Sequence, residues 1–428
     1  MKLISQPKKT EWEALCKRPA LQQEDLTKKV RQILDRVKEL GDQALYEYSS
    51  LFDNAELTKL KVTKKEIAEA EQKLSEELKR AIQVAKTNIE TFHKAQLMKE
   101  PAIETIKGVL CWRRSVPIEK VGLYIPGGSA PLFSTVLMLG IPAGIAGCKE
   151  RILCTPCDKN SKVHPAILYA AQITGITSIY KIGGAQAIAA MAYGTATVPK
   201  VNKIFGPGNQ YVTKAKELVQ LDGLAIDMPA GPSEVLVIAD PSGNPEFIAA
   251  DLLAQAEHSA DSQVVLLSDS VTMIEAVNAE IQTQLAALPR KQIAQKALEN
   301  SFAVVFKNMD SCMKFSNYYA PEHLILAVKN AKQYAKQVTS AGSVFVGNYS
   351  CESAGDYASG TNHTLPTNGF AKSFSGVSTE SFIKKITFQE ITKKGIKDLG
   401  PDIELLAEAE QLFAHKNAVT VRLKSLKK

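Results

Sequence analysis

The stretch VGLYIPGGSAPLFSTVLMLGIPAGIAGC, residues Val121–Cys148, contains no charged side chain and decides how the chain folds. Its length alone would suit a membrane span. Its interior, however, holds three prolines, a Gly-Gly pair and several hydroxyl side chains, and a lipid-exposed span does not tolerate that much broken backbone. The stretch therefore predicts a buried strand, a glycine-rich turn and a buried helix within a globular α/β fold.

Beyond this stretch, short apolar runs alternate with helical patterns, which is typical of parallel strands joined by crossover helices. The first block of candidate strands comprises Gly122–Ile125, Arg151–Cys154, Ser178–Ile182, Lys203–Phe205 and Leu224–Ile226. The second block comprises Glu234–Ile238, Gln263–Leu267, Ala303–Phe306, Leu324–Ala327 and Ser343–Val346. The blocks meet at a Pro- and Gly-rich seam near Met228–Glu234, so we expect two α/β units.

The two ends of the chain carry helical patterns. Residues 22–50 and 64–93 have apolar positions at helical spacing, and the chain becomes polar and helical again after Phe374. The predicted fold class is α/β, with two doubly wound Rossmann-like domains, a helical N-terminal segment and a C-terminal tail. The expected boundaries are an N-terminal extension (1–20), a first α/β domain (21–120 plus 234–374), a second α/β domain (121–233) and a helical tail (375–428).

The composition excludes several classes of protein. A length of 428 residues predicts two or more domains. The formal charge of +7 is mild, and basic residues interleave with acidic ones, so neither a nucleic-acid partner nor a membrane partner is indicated. The N-terminus lacks the apolar run of a signal peptide, and the seven cysteines show no framework spacing. These features favour reduced thiols and a cytoplasmic location.

Four of the six histidines lie in short segments that also carry carboxylates, amides or glycines. The four are His258, His323, His363 and His415. Histidine is both a common metal ligand and the side chain best suited to proton transfer near neutral pH. The segments therefore predict one composite site, assembled by the fold from distant parts of the chain.

Two of these segments suit metal or substrate contacts. Gln255 and His258 stand at positions i and i+3 of a helical pattern, so they face one side of the helix, although an ordinary surface pair has the same spacing. Asp356 and His363 lie in the loop-like segment Gly355–His363, which is rich in small residues, although a simple turn would also explain its glycines.

A third segment suits proton transfer. Glu322 and His323 directly precede a candidate strand, and strand ends are where α/β sheets place catalytic residues. The two side chains offer unperturbed pKa values of about 4.3 and 6.5. An ordinary polar start of a strand is the alternative.

Three glycine segments follow candidate strands and open helices, a geometry that offers backbone N–H groups to phosphates. They are Tyr124–Gly128, Ile182–Gln186 and Phe205–Asn209. None matches the G-x-G-x-x-G fingerprint, so the residues alone leave dinucleotide binding open. They also leave open a thiolate enzyme using Cys111 or Cys148, a zinc hydrolase in which Glu322 activates water, and a non-catalytic metal-binding protein.

Together, these motifs resemble the histidinol dehydrogenase family over nearly the whole chain. The blocks that carry the resemblance are Val121–Leu132, Ile204–Asn209, Asp227–Val235, Gln255–His258, Ala320–Leu324 and Gly355–His363. The resemblance implies oxidation of L-histidinol to L-histidine through L-histidinal, the last steps of histidine biosynthesis, with NAD and Zn²⁺ as cofactors. It also implies an intertwined homodimer whose C-terminal tail completes the neighbouring active site.

The resemblance further implies a role for each site residue. The zinc ligands would be Gln255, His258, Asp356 and His415. The catalytic acid/base pair would be Glu322 and His323. Substrate contacts would come from these six residues together with Ser233, His363 and Glu410. NAD contacts would come from Tyr124, Gln186 and Asn209 in the second α/β domain, whereas the first would carry the metal and acid/base residues.

Overall fold

The computed structural model describes residues 1–19, 23–127, 130–229 and 231–427. The strands are β1 (Lys2–Ser5), β2 (Ile103–Ile106), β3 (Val109–Pro117), β4 (Lys120–Tyr124), β5 (Glu150–Thr155), β6 (Ser178–Lys181), β7 (Lys203–Phe205), β8 (Ala225–Ile226), β9 (Glu234–Ala239), β10 (Gln263–Ser268), β11 (Phe302–Val305), β12 (His323–Ala327), β13 (Ser343–Val346) and β14 (Ile383–Ile391). The α-helices are α1 (Trp12–Leu15), α2 (Gln23–Leu40), α3 (Asp42–Asp53), α4 (Lys64–Gln72), α5 (Glu76–Lys94), α6 (Phe133–Ala146), α7 (Pro165–Ile173), α8 (Gly184–Tyr193), α9 (Gln210–Leu221), α10 (Pro245–Ala256), α11 (Val271–Ala287), α12 (Lys291–Glu299), α13 (Met309–Tyr319), α14 (Ala331–Ala335), α15 (Glu352–Tyr357), α16 (Lys393–Ala409) and α17 (Phe413–Ser425). Three 3-10 helices span Lys9–Glu11, Phe370–Lys372 and Thr379–Phe382.

The first block of predicted strands forms a five-stranded parallel sheet with the order β6-β5-β4-β7-β8. Strand β4 lies at its centre, with β5 and then β6 on one side and β7 and then β8 on the other. Buried apolar clusters cover both faces of this sheet, one built mainly on α2, α8 and α9 and the other on α5, α6 and α7. The predicted parallel α/β architecture is therefore confirmed for this half of the chain.

The uncharged stretch folds as predicted into a buried strand, β4, and a buried helix, α6. Helix α6 is apolar on nearly all sides because it packs between α5 and α7 as well as against the sheet. Gly128 and Ser129, in the glycine-rich turn between them, lie outside the described residues. Among the helices that the structure describes, none is both long enough and apolar enough to cross a membrane.

The second block of predicted strands forms a six-stranded parallel sheet with the order β1-β11-β10-β9-β12-β13. Strand β1 corrects the prediction of a separate N-terminal extension, because it pairs in parallel with β11 along its whole length. Trp12 also packs edge-on against Phe306 and Phe315. The first residues thus cover an edge that would otherwise expose unpaired backbone groups.

Helices α2 to α5 correct a second predicted boundary. The sequence assigned residues 21–120 to the same domain as 234–374, but α2 and α3 pack into the core of the five-stranded sheet, and α5 packs against α6. The helical periodicity shows which face of a helix is buried but not which sheet buries it. The predicted helix 22–50 is also divided in two at Gly41, whose φ is +57°.

The C-terminal tail corrects a third prediction, because it is not wholly helical. Strand β14 pairs antiparallel with β3 over nine residues, and β3 also pairs with β2, so the three form a small separate sheet. Beyond β14, α16 and α17 pack mainly against each other. We refer to residues 393–427 as the C-terminal arm.

Candidate active site

The predicted acid/base pair and three of the four predicted metal ligands gather at the amino edge of the six-stranded sheet. His323 is the first residue of β12 and lies level with Val235 of β9 and Ser343 of β13. The carboxyl ends of α10 and α15 bring Gln255 and Asp356 to the same edge. Because a helix carries partial negative charge at its carboxyl end, two such ends favour a bound cation.

Glu322 is held in place by two hydrogen bonds and is buried. Its Oε2 atom accepts a hydrogen bond from the backbone N–H of Glu234 at 2.9 Å and from the side-chain amide of Gln255 at 3.3 Å. Burial raises the pKa of Glu322 to about 8. Gly342 allows this close packing, since a Cβ there would stand 2.6 Å from the carbonyl oxygen of Glu322. The carboxyl group can therefore gain or lose a proton near neutral pH.

His323 is oriented so that one ring nitrogen faces the interior of the site. Nδ1 lies 3.3 Å from the carbonyl oxygen of Glu234 and donates to it, because a carbonyl can only accept. Nε2 lies 3.4 Å from Oδ1 of Asp356. Burial would lower the pKa of His323, but the surrounding carboxylates, with Glu352 foremost, outweigh burial and raise it to about 10. A cation bound beside these carboxylates would balance their charge and lower the pKa of His323 again, so that Nε2 can accept a proton.

Three side chains at this edge can hold a metal ion. His258, Glu352 and Asp356 each offer a ligand atom, and the three atoms lie within 4.8 Å of one another. Burial raises the pKa of Glu352 well above its usual range. Burial also acts to raise the pKa of Asp356, but the neighbouring imidazoles, led by His323, outweigh it and lower that pKa.

Glu352 is a residue that the sequence interpretation missed. It is 1% exposed and begins α15, four residues before Asp356. A spacing of i and i+4 puts both carboxylates on one helix face. That spacing is the available sequence signal, but the predicted loop-like segment begins only at Gly355 and leaves Glu352 outside it.

The polar atoms of the site fit a divalent cation. Four of them are buried and lack a hydrogen-bond partner among the described residues: Gln255 Oε1, His323 Nε2, Glu352 Oε2 and Asp356 Oδ1. A buried polar atom left unpaired costs about 1–3 kcal/mol. Three of the four are oxygens, and together with the His258 ring they form a nitrogen and oxygen donor set that suits zinc or manganese.

His363 is anchored between the two halves of the molecule. Its Nδ1 donates to the carbonyl oxygen of Asp356 at 2.9 Å, and its Nε2 therefore accepts from the hydroxyl of Thr135 on α6 at 3.1 Å. The preceding Asn362 donates to the carbonyl oxygen of Met138 at 2.7 Å. That carbonyl lacks its usual helical partner because Pro142, four residues on, has no N–H. A proline inside α6 thus fixes the loop that presents His363.

Three further residues were predicted for the site: Ser233 lies next to Glu234, whereas Glu410 and His415 lie on the C-terminal arm. Ser233 directly precedes β9, half-buried and next to Glu234. Glu410 and His415 are exposed on the C-terminal arm, and the group of potential metal ligands described within one chain contains neither. His93 and His164 have structural roles, as interpreted: His93 is buried against Asn362, and His164 caps α7.

The three predicted NAD contacts line one large cavity at the carboxyl edge of the five-stranded sheet. Tyr124, Gln186 and Asn209 contribute to a cavity of about 1200 Å³, larger than the roughly 300–1,000 Å³ of typical small-molecule sites. The helices α7, α8 and α9 all begin at this edge. Helix amino ends carry partial positive charge, so the cavity suits a phosphate-containing ligand.

Two of these three side chains also stabilise the cavity itself. The hydroxyl of Tyr124 accepts a hydrogen bond from the backbone N–H of Gly184, and Asn209 caps α9 by accepting from the N–H groups of Tyr211 and Val212. Gly206 passes so close to Tyr124 that a Cβ would overlap its carbonyl oxygen, and its φ of +129° is one that other residues rarely adopt. Gly128, part of the first glycine segment, lies outside the described residues.

The structure gives no support to the thiolate alternative. Burial raises the pKa of Cys148 to about 11, the opposite of what an attacking thiolate needs. Cys111 lies on β3, in the small antiparallel sheet rather than at either of the two parallel-sheet edges described above.

Comparison with known proteins gives one consistent result. The histidinol dehydrogenase family model matches residues 16–423. A histidinol dehydrogenase from Bacteroides thetaiotaomicron is 60% identical over the whole of both chains. Another, from Escherichia coli K12, is 54% identical over 96% of this chain and 95% of its own length.

A solved structure agrees with the computed fold. The crystal structure of a histidinol dehydrogenase from Elizabethkingia anophelis superposes with a TM-score of 0.97 at 58% identity. The match covers all of this chain and 99% of the other. The similarity therefore extends to both sheets and the C-terminal arm.

Proposed function

The chain belongs to the histidinol dehydrogenase family, and we propose that it catalyses the four-electron, NAD-linked oxidation of L-histidinol to L-histidine through L-histidinal. The observation that carries the proposal is the convergence of Gln255, Glu322, His323 and Asp356 at one buried edge. These residues come from three separate segments of sequence. Their geometry supplies a proton acceptor, a water-activating carboxylate and a set of metal donors in one place.

Within one chain, Gln255, His258 and Asp356 would hold the zinc ion. When bound, zinc supplies a template and a Lewis acid that fixes the substrate's nitrogen atoms. The Gln255 amide fits this role because its nitrogen donates to Glu322, which turns its oxygen away from that carboxylate and leaves it without a partner. Glu352 adds a buried carboxyl group, and a divalent cation would stabilise its ionised form.

His323 and Glu322 divide the proton transfers. In the first oxidation, Nε2 of His323 takes the hydroxyl proton while hydride passes from the carbinol carbon to NAD, giving L-histidinal. Glu322 would then take a proton from water while the protonated His323 returns its proton to the aldehyde oxygen, so that addition of the water oxygen to the aldehyde carbon gives the hydrate. The hydrate would lose hydride to a second NAD while His323 takes one hydroxyl proton, and the carboxylic acid so formed would release its remaining acidic proton to solvent as the carboxylate of L-histidine. A pKa of about 8 for Glu322 suits a base working near neutral pH.

The cavity at the five-stranded sheet would bind NAD, with contacts from Tyr124, Gln186 and Asn209. Gln186 supports this assignment because its Oε1 atom is buried without a partner among the described residues. His363, on the loop that contacts α6 through Thr135, lies between the two halves and would contact the substrate. Ser233, which directly precedes β9 beside Glu234, would also contact the substrate.

We further propose that the active enzyme is a homodimer completed by the C-terminal arm. The arm exposes large apolar side chains, among them Leu405, Leu406 and Phe413, each more than 60% exposed. Such a patch on a single chain indicates a protein interface. Glu410 and His415 lie on the same arm, so a second copy seated there would receive a substrate contact and a zinc ligand. All seven cysteines are free thiols, which fits a biosynthetic enzyme of the cytoplasm.

The proposal is tested by following NADH formation with L-histidinol and NAD, before and after removal of metal with a chelator. Activity that disappears on chelation and returns with zinc is the expected result. NADH formation unaffected by metal removal would contradict the metal site. Absence of NADH with the zinc-loaded protein would contradict the dehydrogenase assignment and favour a hydrolase or a metal-binding protein.

A further inference from the structure

Both members of the acid/base pair contact the backbone of one buried residue, Glu234. The backbone N–H of Glu234 donates to Oε2 of Glu322 at 2.9 Å, and its carbonyl oxygen accepts from Nδ1 of His323 at 3.3 Å. Glu234 begins β9, one residue before the pairing of β9 with β12 starts at Val235. On the β12 side, strand pairing therefore does not fix Glu234, and its side-chain contacts help to set its place.

The side chain of Glu234 is held between two hydrogen-bond donors. Its Oε2 atom pairs with Nε of Arg18 at 2.5 Å, and its Oε1 atom accepts from the backbone N–H of Asn368 at 2.7 Å. The Glu234 side chain is fully buried and that of Arg18 is 5% exposed. Because burying two charges costs desolvation energy, such a pair contributes orientation more reliably than stability.

Arg18 links the start of β9 to the segment that leads into the acid/base pair. Its Nη2 atom donates to the carbonyl oxygen of Tyr319 at 2.8 Å, and its Nη1 atom donates to that of Cys16 at 2.7 Å. The guanidinium carbon also lies 3.5 Å from the centre of the Tyr319 ring. Tyr319 ends α13, three residues before Glu322. One planar guanidinium thus holds two chain segments in a fixed relation.

We propose that Arg18 and Glu234 are positioning residues for the acid/base pair: their ion pair sets the place of the Glu234 backbone, which aligns Glu322 and His323. The pair acts through geometry and exchanges no proton with the substrate. A misplacement of about 1 Å at a reacting group can lower a rate by about 10²-fold. The inference rests on the proposed function, because it concerns the alignment of the same catalytic groups.

The test is the single-turnover oxidation of L-histidinal by zinc-loaded enzyme in excess over the aldehyde, with saturating NAD. NADH absorbance is followed after rapid mixing, and the enzyme concentration is raised until the rate constant no longer increases. That limiting rate constant depends on how the reacting groups are aligned and not on the fraction of folded molecules. A contribution to folding alone would therefore leave it unchanged.

Glu234→Gln is the first variant. It keeps the shape of the side chain but offers one acceptor oxygen to two donors, Arg18 and Asn368, so that one donor faces another. We expect the limiting rate constant to fall at least about 10-fold while zinc content stays at the wild-type value. The matched control is Glu66→Gln on α4, which removes a carboxylate paired with Lys181 at 2.5 Å and should keep the wild-type rate constant.

Arg18→Lys is a second variant, which remains informative if Glu234→Gln folds poorly because it keeps a positive charge beside Glu234. An ammonium group lacks the planar fork that contacts Glu234, Tyr319 and Cys16 together, so the rate constant should again fall, by about 5-fold or more. A wild-type rate constant in either folded variant would overturn the proposal. Loss of zinc would also overturn it, since the pair would then support the metal site instead.

The wild-type enzyme separates this inference from the proposed function. If the zinc-loaded wild type forms no NADH from L-histidinal, the proposed function fails before any variant is compared. If the wild type is active and both variants match it, only the positioning role fails.

Discussion

The two parallel sheets of this molecule carry their candidate sites at opposite edges. The six-stranded sheet gathers Gln255, His323 and Asp356 at its amino edge, where the helices α10 and α15 end. The five-stranded sheet forms its cavity at its carboxyl edge, where α7, α8 and α9 begin.

The difference follows the direction of the helix dipole. Helix carboxyl ends carry partial negative charge and suit a metal cation, whereas helix amino ends carry partial positive charge and free N–H groups and suit phosphates. The same βα architecture can therefore favour a cation at one edge of a sheet and phosphates at the other edge. A substitution at one edge should leave ligand binding at the other edge unchanged, and the first two predictions below test that separation.

The largest effect is expected for His323→Ala. Loss of a general base should lower turnover by about 10²–10⁴. Zinc content and ADP-ribose affinity should remain at wild-type values, because His323 lies at the amino edge and is not assigned as a ligand. Steady-state NADH assays and metal analysis by mass spectrometry measure both quantities, and added imidazole should restore part of the activity. Turnover near the wild-type value would contradict the assigned role.

Asp356→Asn should weaken zinc binding by at least about 10–100-fold, since the site loses a charged oxygen donor. Competition with a chromophoric chelator measures the affinity. Asp310→Asn, on the exposed first turn of α13, is the matched control and should bind zinc normally. If Asp356→Asn also weakened ADP-ribose binding, the two edges would not be independent.

Mixing two inactive variants tests whether the C-terminal arm serves the neighbouring chain. His323→Ala and His415→Ala subunits, unfolded and refolded together, should regain about a quarter of wild-type activity, because half of the dimers are mixed and each has one intact site. His415→Ala alone should show reduced zinc content. Activity that stays absent after mixing, with dimers formed, would mean that the arm completes its own chain's site.

The smallest effect is expected at the carboxyl edge, in the stability of Asp53→Asn. The folded protein raises the pKa of Asp53 from 3.8 to about 6, so the ionised form destabilises the fold. Stability relative to the variant is therefore lost as the pH rises from about 4 through 6. The variant should melt about 1–3 °C above the wild type at pH 8 and level with it near pH 4. A difference that does not change with pH would contradict an ionised, unpartnered Asp53.

Much of the fold followed from local pattern. All ten candidate strands are present, because buried parallel strands appear as short apolar runs wherever they pair. The strands that were missed lie at the margins: β1 at an edge, and β2, β3 and β14 in a sheet with many exposed positions. Their sequences carry too little apolar signal to be recognised without their partners.

The candidate site was predictable in type but not in arrangement. Histidines with carboxylates indicated a metal and proton-transfer site, and the sequence supplied each residue type. Glu352 was missed because its spacing of four residues from Asp356 indicates a shared helix face but not that the fold buries both carboxylates at one site. The sequence likewise could not show that the amide nitrogen of Gln255 would donate to Glu322 while its amide oxygen stays without a hydrogen-bond partner among the described residues.

By itself the sequence determined two parallel α/β units, a buried uncharged strand and helix, and the residue types of a metal and acid/base site. It could do so because burial and helical or strand periodicity are local properties of the chain. The tertiary structure alone decided that α2 to α5 cover the five-stranded sheet, that β1 adds an edge strand to the other sheet, and that the two candidate sites occupy opposite edges. Those outcomes depend on which apolar surfaces meet in space, and a helix's pattern does not specify its partner.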